Sequence, residues 1–501
     1  MKARRIAATA AAVISLAACS PPWAADPTPT PTPTFSPPVP DLARFYSQAL
    51  EWEPCGDDEC ARLLVPVDYA EPQGATLELA LLRVPAAGDR QGVLVLDPGG
   101  PGGSGTESAA ARQTVVSDAV LDRFDVVGFD PRGVGESSPV QCGTDADLDA
   151  LVASDGTPDT PEEEADNARL AEEFVAACTA PVPGLLEHVS TADAARDMDV
   201  LRAALGQSRL DYLGVSYGTH LGATYAALFP QNVGRFVLDG PLPAELTAEE
   251  VSLEQARGFE DALMRFIDDC LGRDDCPFSG DRASAVTQLR GWLDALDSEP
   301  APTGDDARPL TEGAATYAIL MMLYSPETDW PNLRLALSDL SQGVGITLQQ
   351  LLDSRMRRDA NGVYANNSSE AFYAVSCLDR PVSGGAESAR ELADVWKDEL
   401  PVLGEYFAWG NLPCATWPVP VVPPTLPTSP LPPMLVVATT HDPATPIAWG
   451  PVLVEQLGSA TLLVRDGDGH TAYREGSECI DEAIDAFLID GVLPEPGTVC
   501  T

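Results

Sequence analysis

The chain has 501 residues, 45% hydrophobic and 21% charged, a globular composition with ample apolar material for a large core. Its 76 Asp and Glu against 30 Lys and Arg give a formal charge of −46. A surface this acidic is repelled by phosphate backbones and anionic headgroups, which argues against nucleic-acid binding and against membrane binding without an anchor.

The first residues read as an export signal. Lys2, Arg4 and Arg5 precede the apolar stretch 6–18, which is shorter than the roughly 20 residues a membrane helix needs but suits a signal peptide. Leu16-Ala17-Ala18-Cys19 resembles a bacterial lipobox, in which cleavage precedes the cysteine and the cysteine carries lipid. Residues 1–18 are then a lipoprotein signal peptide and Cys19 the lipidation site; an ordinary secretory signal is the alternative. Residues 26–40 are almost all Pro and Thr, so 19–40 reads as a tether. As polyproline its fifteen Pro/Thr-rich residues span about 45 Å. The expected location is the outer face of a bacterial cell membrane, held there through Cys19 only, or the secreted state. Ten cysteines remain, an even number suited to an oxidising compartment. Sequence proximity pairs Cys55 with Cys60, Cys142 with Cys178, Cys270 with Cys276, Cys377 with Cys414 and Cys479 with Cys500. No C-x-x-C pair or histidine cluster accompanies them, so no metal site is expected.

Residues 76–84 alternate like a strand with one polar face. Short apolar runs follow at 92–97, 124–129, 209–215, 235–239, 434–439 and 461–465, as in buried parallel strands. Strands alternating with helical patterns give an α/β fold with a mostly parallel sheet. Residues 241–425 break that rhythm, with helical patterns at 251–272, 282–297, 313–324, 331–340, 345–358 and 388–399. The expected organisation is a discontinuous core, 41–240 and 426–501, with an inserted helical cap domain at 241–425.

Gly214-Val215-Ser216-Tyr217-Gly218 fits G-x-S-x-G directly after an apolar strand and before a helix, the setting of a nucleophile elbow in the α/β-hydrolase fold. The alternative is a turn serine capping a helix. A serine hydroxyl needs a base. In this fold the order is Ser, acid, His, which passes over His188 before the serine and His220 one helical turn after it. Of His441 and His470, His441 adjoins Asp442, and adjacent residues do not easily form the acid–imidazole bond that orients a base. Asp442 as acid and His470 as base is the self-consistent choice, with Asp239 at a strand end as rival acid. The oxyanion requires backbone N–H donors. Tyr217 follows the nucleophile and supplies one. The second comes from the loop 97–105, where five of the seven residues from Gly99 to Gly105 are glycine. No Gly-Lys-Ser/Thr follows, which sets aside a phosphate loop. In Asp130-Pro131-Arg132-Gly133, the arginine is expected to brace the oxyanion loop or neighbouring turns, or to lie on a surface turn.

Together Gly99-Gly100-Pro101-Gly102-Gly103-Ser104-Gly105, Asp130-Pro131-Arg132-Gly133, Gly214-Val215-Ser216-Tyr217-Gly218-Thr219, Asp442-Pro443-Ala444-Thr445-Pro446 and Gly469-His470 resemble the exported tripeptidyl-aminopeptidase branch of the α/β-hydrolases, related to proline iminopeptidases. The resemblance spans about residue 45 to the end and implies a serine peptidase that releases short peptides, tripeptides in this branch, from free N-termini without a cofactor. It implies Gly100 as the second oxyanion donor; proline iminopeptidases carry His before that turn, where this chain has Pro98. It also implies cap-domain carboxylates for the substrate ammonium, for which Asp379 is the first choice, on a loop fixed by a disulfide, and Glu370 the second. An esterase or lipase on the same triad, and a lipid-anchored binding protein without catalysis, are the competing readings.

Overall fold

The computed structural model describes residues 37–382, 384–423 and 425–501. The signal peptide, Cys19 and the tether up to residue 36 lie outside the described residues. In chain order the strands are β1 (Glu53–Cys55), β2 (Asp58–Pro66), β3 (Thr76–Val84), β4 (Gly92–Asp97), β5 (Phe124–Phe129), β6 (Gln141–Cys142), β7 (Cys178–Thr179), β8 (Leu210–Val215), β9 (Val233–Asp239), β10 (Met434–His441), β11 (Ala460–Asp468) and β12 (Val499–Cys500). Ten of them form one sheet in the order β1-β2-β3-β5-β4-β8-β9-β10-β11-β12, and β6 pairs with β7 separately. From β5 to β12 all pairings are parallel. The edge from β1 through β3 to β5 is antiparallel. This is the α/β-hydrolase fold.

Alternation along the strands divides the core between two faces of the sheet. Val93 and Val95 join Tyr212, Phe236 and Leu238 on one face, under the helices Thr191–Ala204 and Tyr217–Leu228. Leu94 and Leu96 join Leu213, Val237 and Leu435 on the other, under the helix Glu478–Asp490. Burying both faces is why these runs are continuously apolar. Every strand read from the sequence is present. The β1–β2 hairpin is an addition, because its acidic start and half-exposed edge position blur the alternation. All five expected cysteine pairs are bonded.

Between β9 and β10 the chain is helical: Ala248–Leu271, Arg282–Ser298, Glu312–Met321, Pro326–Leu340, Ile346–Arg355, Ser368–Asp379 and Ala386–Glu399 are its longer helices. One of them corrects the sequence reading, which took the Asp379 segment as a loop. The helix Ser368–Asp379 is anchored at its start by Asn367, whose amide accepts from Gly135 N–H at 2.9 Å and donates to the Gly133 and Val140 carbonyls at 2.8 Å. A smaller helical insertion, Asp145–Val152 and Pro161–Ala177, sits between β6 and β7. Both of its helices open with a capping box, Thr144 with Asp147 and Thr160 with Glu163. No helix among the described residues is long and apolar enough to cross a membrane.

Candidate active site

Ser216 stands between β8 and the helix Tyr217–Leu228 at φ 57°, ψ −121°. A non-glycine residue there carries roughly 1–3 kcal/mol of strain and persists because its surroundings over-determine it. Its N–H donates to Asp239 O at 2.7 Å, and its carbonyl accepts the Thr219 hydroxyl at 2.7 Å. The flanking glycines permit the sharp turn: a Cβ on Gly214 would lie 2.4 Å from Gly218 O. The glycine-rich loop is pressed against this elbow, since a Cβ on Gly99 would lie 2.3 Å from Val215 O and 3.0 Å from the Ser216 Cβ. Asp97 fixes the loop's entrance by accepting Gly99 N–H at 2.9 Å, and burial pushes its carboxyl up to about 7.

The far end of that loop is braced by Asp130, not Arg132. Asp130 Oδ1 accepts from the Ser104 hydroxyl at 2.6 Å and from Thr106 N–H and Oγ1 at 3.1 and 2.9 Å. Arg132 is fully buried, which excludes the surface-turn alternative. It pairs with Asp197 at 2.6 and 2.7 Å and donates to the carbonyls of Pro66, Val67 and His188, tying together neighbouring turns.

His470 follows β11, and its Nδ1 meets Asp442 Oδ1 and Oδ2 at 2.8 and 3.0 Å. Asp442 is itself fixed by N–H donors from Ala444, Thr445 and Thr471 and by the Thr445 hydroxyl. From the helical region, Tyr324 O accepts His470 N–H at 2.9 Å and the Tyr324 ring packs edge-on against the imidazole. Burial pulls the imidazole pKa down, but the Asp442 charge and hydrogen bond outweigh it and the net shift is upward. The rival acid Asp239 accepts instead from Ala472 and Tyr473 N–H, and burial pushes it up to about 6. The other histidines are placed elsewhere. His441 Nδ1 lies 2.9 Å from Asp261. His188 faces Asp193 and Asp68. His220 is buried beneath the elbow and held neutral by that burial.

Gly100, Ser216 and Tyr217 line one cavity of about 480 Å³. Its walls include Tyr324, Tyr373 and Phe407 from the segment between β9 and β10, and Leu148 and Asp155 from the insertion between β6 and β7. The arrangement offers a strained serine that opens onto a largely apolar chamber, and an imidazole oriented by a buried carboxylate.

Comparison with known proteins agrees with this geometry. The family described as TAP-like protein matches residues 400–500. The serine protease Hip1 of Mycobacterium tuberculosis is 40% identical over 477 residues, covering 90% of this chain and 91% of that protein. The tripeptidyl aminopeptidase of Streptomyces lividans is 32% identical over 480 residues, covering 91% and 88%. Carboxylesterase B of Mycobacterium tuberculosis is 35% identical over 450 residues, covering 88% and 86%. The chain belongs to the tripeptidyl-aminopeptidase-like family of α/β-hydrolases.

As a member of this family it is a serine hydrolase. Of the carboxylates expected to meet a substrate ammonium, Asp379 lines the cavity, but Thr191 occupies it: the Thr191 N–H donates to Oδ1 at 2.9 Å and its hydroxyl to Oδ2 at 2.5 Å. Glu370 is not among the cavity-lining residues, and its Oε2 is buried without a partner. Sequence reading missed Asp130, Tyr324 and Asp155. An acidic residue after a strand was the available sign for Asp130. The other two carried no local signal, because distant segments bring them to the site.

Proposed function

We propose that this chain is an exported serine exopeptidase that releases short peptides, tripeptides foremost, from free N-termini through an acyl-enzyme. Two observations carry this reading together: the hydrogen-bonded Asp442–His470 pair, and a strained Ser216 that opens onto a cavity shared with Gly100 and Tyr217. His470 takes the Ser216 proton as the hydroxyl attacks the scissile carbonyl. The N–H groups of Gly100 and Tyr217 receive the oxyanion, each worth about 3 kcal/mol in the transition state. His470 then returns the proton to the leaving amine. The departing amine frees room for water, which His470 deprotonates to release the acyl group and restore the Ser216 hydroxyl. Asp442 keeps the imidazole in the tautomer with its proton on Nδ1 and stabilises the imidazolium. Export and a lipid on Cys19 are proposed from the basic, apolar and lipobox residues 2–19.

The test compares a tripeptide arylamide bearing a free N-terminus with its N-acetyl twin. Strong preference for the free amine supports the exopeptidase, and equal cleavage of the two overturns it. The 35% identical relative named carboxylesterase gives a second reading, an esterase on the same residues. Rapid turnover of simple esters with neither peptide cleaved would favour it. Loss of all hydrolysis in Ser216→Ala is expected in both cases.

A further inference from the structure

Among the described residues, two carboxylates line the cavity beside Ser216, Asp155 and Asp379. Both oxygens of Asp379 are taken by Thr191. Asp155 differs. Its Oδ1 accepts Thr157 N–H at 2.9 Å, while its Oδ2 is buried with no hydrogen-bond partner. A buried carboxylate oxygen without a donor is costly, and the cost is relieved by a ligand that supplies one.

The surroundings make the donor's charge plain. Carboxylate oxygens of Asp155, Glu163 and Asp297 lie within 4.8 Å of one another. Glu312 lies behind the wall residue Gly156, its Oε2 accepting Gly156 N–H at 2.9 Å and its Oε1 the Thr316 hydroxyl at 2.9 Å. Asp159 adds a further negative charge. Among the described residues no Lys, Arg or His forms an ion pair with any of these five acids. Glu163 is committed to the helix start, accepting from Asp159 and Thr160 N–H, and Asp297 faces solvent. Asp155 is therefore the member of the group that presents the unbalanced charge to the cavity. The wall around it is aromatic: a Cβ on Gly156 would lie 2.6 Å from the Tyr406 ring. Aromatic faces beside a carboxylate suit a small organic cation.

The geometry points to Asp155, on the insertion between β6 and β7, as the group that receives the substrate's N-terminal ammonium, in place of the carboxylates of the helices between β9 and β10. This rests on the exopeptidase reading above. An ammonium donates to Oδ2, and Glu163, Asp159 and Asp297 deepen the negative potential that holds it. Burial and those neighbours push the Asp155 carboxyl up to about 6, so the empty subsite takes up a proton where a bound ammonium would keep it ionised.

The measurement is KM and kcat for the free-amine tripeptide arylamide and its N-acetyl twin, in the full-length wild type, Asp155→Asn, Asp155→Glu and Asp379→Asn. Asp155→Asn is expected to raise KM for the free amine roughly 10–100-fold and to erode the preference over the acetylated twin. Asp155→Glu retains part of that preference. In the wild type, KM for the free amine rises below pH about 6 while the acetylated twin shows no such rise, a readout that needs no variant. A wild type indifferent to acetylation sinks the exopeptidase reading itself. A wild type that prefers the free amine, with the preference intact in Asp155→Asn, sinks only the assignment to Asp155. Loss of preference in Asp379→Asn alone would move the ammonium to Asp379. Activity lost to a chelator and restored by calcium in the wild type, but not in Asp155→Asn, would overturn the proposal in favour of a cation held by Asp155, Glu163 and Asp297.

Discussion

Asp379 accepts both the backbone N–H and the hydroxyl of Thr191, and the same hydroxyl meets the Tyr217 phenol. The last residue of a helix between β9 and β10 is thereby tied, through one threonine, to the residue that follows Ser216. Burial pushes Asp379 up to about 6 even with these donors, so each of them matters. Thr191→Val removes the hydroxyl at nearly constant volume and leaves two buried polar groups short of a partner. The expected loss is about 1–3 kcal/mol in urea unfolding. The free-amine preference should survive, and its disappearance would show that Asp379 contacts the substrate.

Asp442→Asn keeps the size of the acid but replaces one carboxylate oxygen with an N–H donor, favouring the wrong imidazole tautomer. A kcat lower by roughly 10⁴ is expected. The wild-type rate should rise with pH through an ionisation above that of free histidine, because Asp442 raises the His470 pKa against the pull of burial. Residual activity in the variant should titrate at lower pH. A pH profile unmoved by the substitution would dissociate His470 from the rate-limiting proton transfer.

Stability should fall as pH rises from about 5 to about 7. Burial pushes Asp97, Glu260 and Glu312 up to about 7, and Asp155, Asp239 and Asp379 to about 6. The folded chain holds these protons over a range in which the unfolded chain, with ordinary carboxyls near 4, has released them. Stability then decreases with increasing pH across that window. The raised pKa values of His470 and His188 act in the same direction; His220, kept neutral by burial, opposes them. A higher Tm at pH 5.5 than at pH 7.5 is the expected result, and a Tm that climbs over this range would contradict it.

Arg132 and Asp197 form an ion pair with neither side chain exposed. Arg132→Met leaves Asp197 charged and unpaired and frees the carbonyls of Pro66, Val67 and His188. A loss of about 3–5 kcal/mol is expected by chemical denaturation. Combining it with Asp197→Leu should recover part of that loss, because the stranded charge is gone.

Residue order along the chain was enough for whatever depends on neighbours in sequence. Alternation marked β3, and short apolar runs marked β4, β5 and β8 to β11, because a strand covered on both faces of a parallel sheet carries no polar side. Gly214 and Gly218 marked the elbow because only small residues tolerate that turn. The order serine, Asp442, His470 gave the pairing seen at 2.8 Å, and pairing each cysteine with its neighbour in sequence gave the five disulfides, two of which close short loops. Tertiary structure alone decided which polar groups are left free. Asp379 looked available until Thr191, 188 positions away, occupied it. Asp130 displaced Arg132 as the brace of the glycine-rich loop, because buried hydrogen-bond capacity is assigned by three-dimensional proximity. Asp155 acquired its significance the same way: local periodicity reports which face of an element is buried, whereas an unpaired oxygen reflects every segment that packs around it.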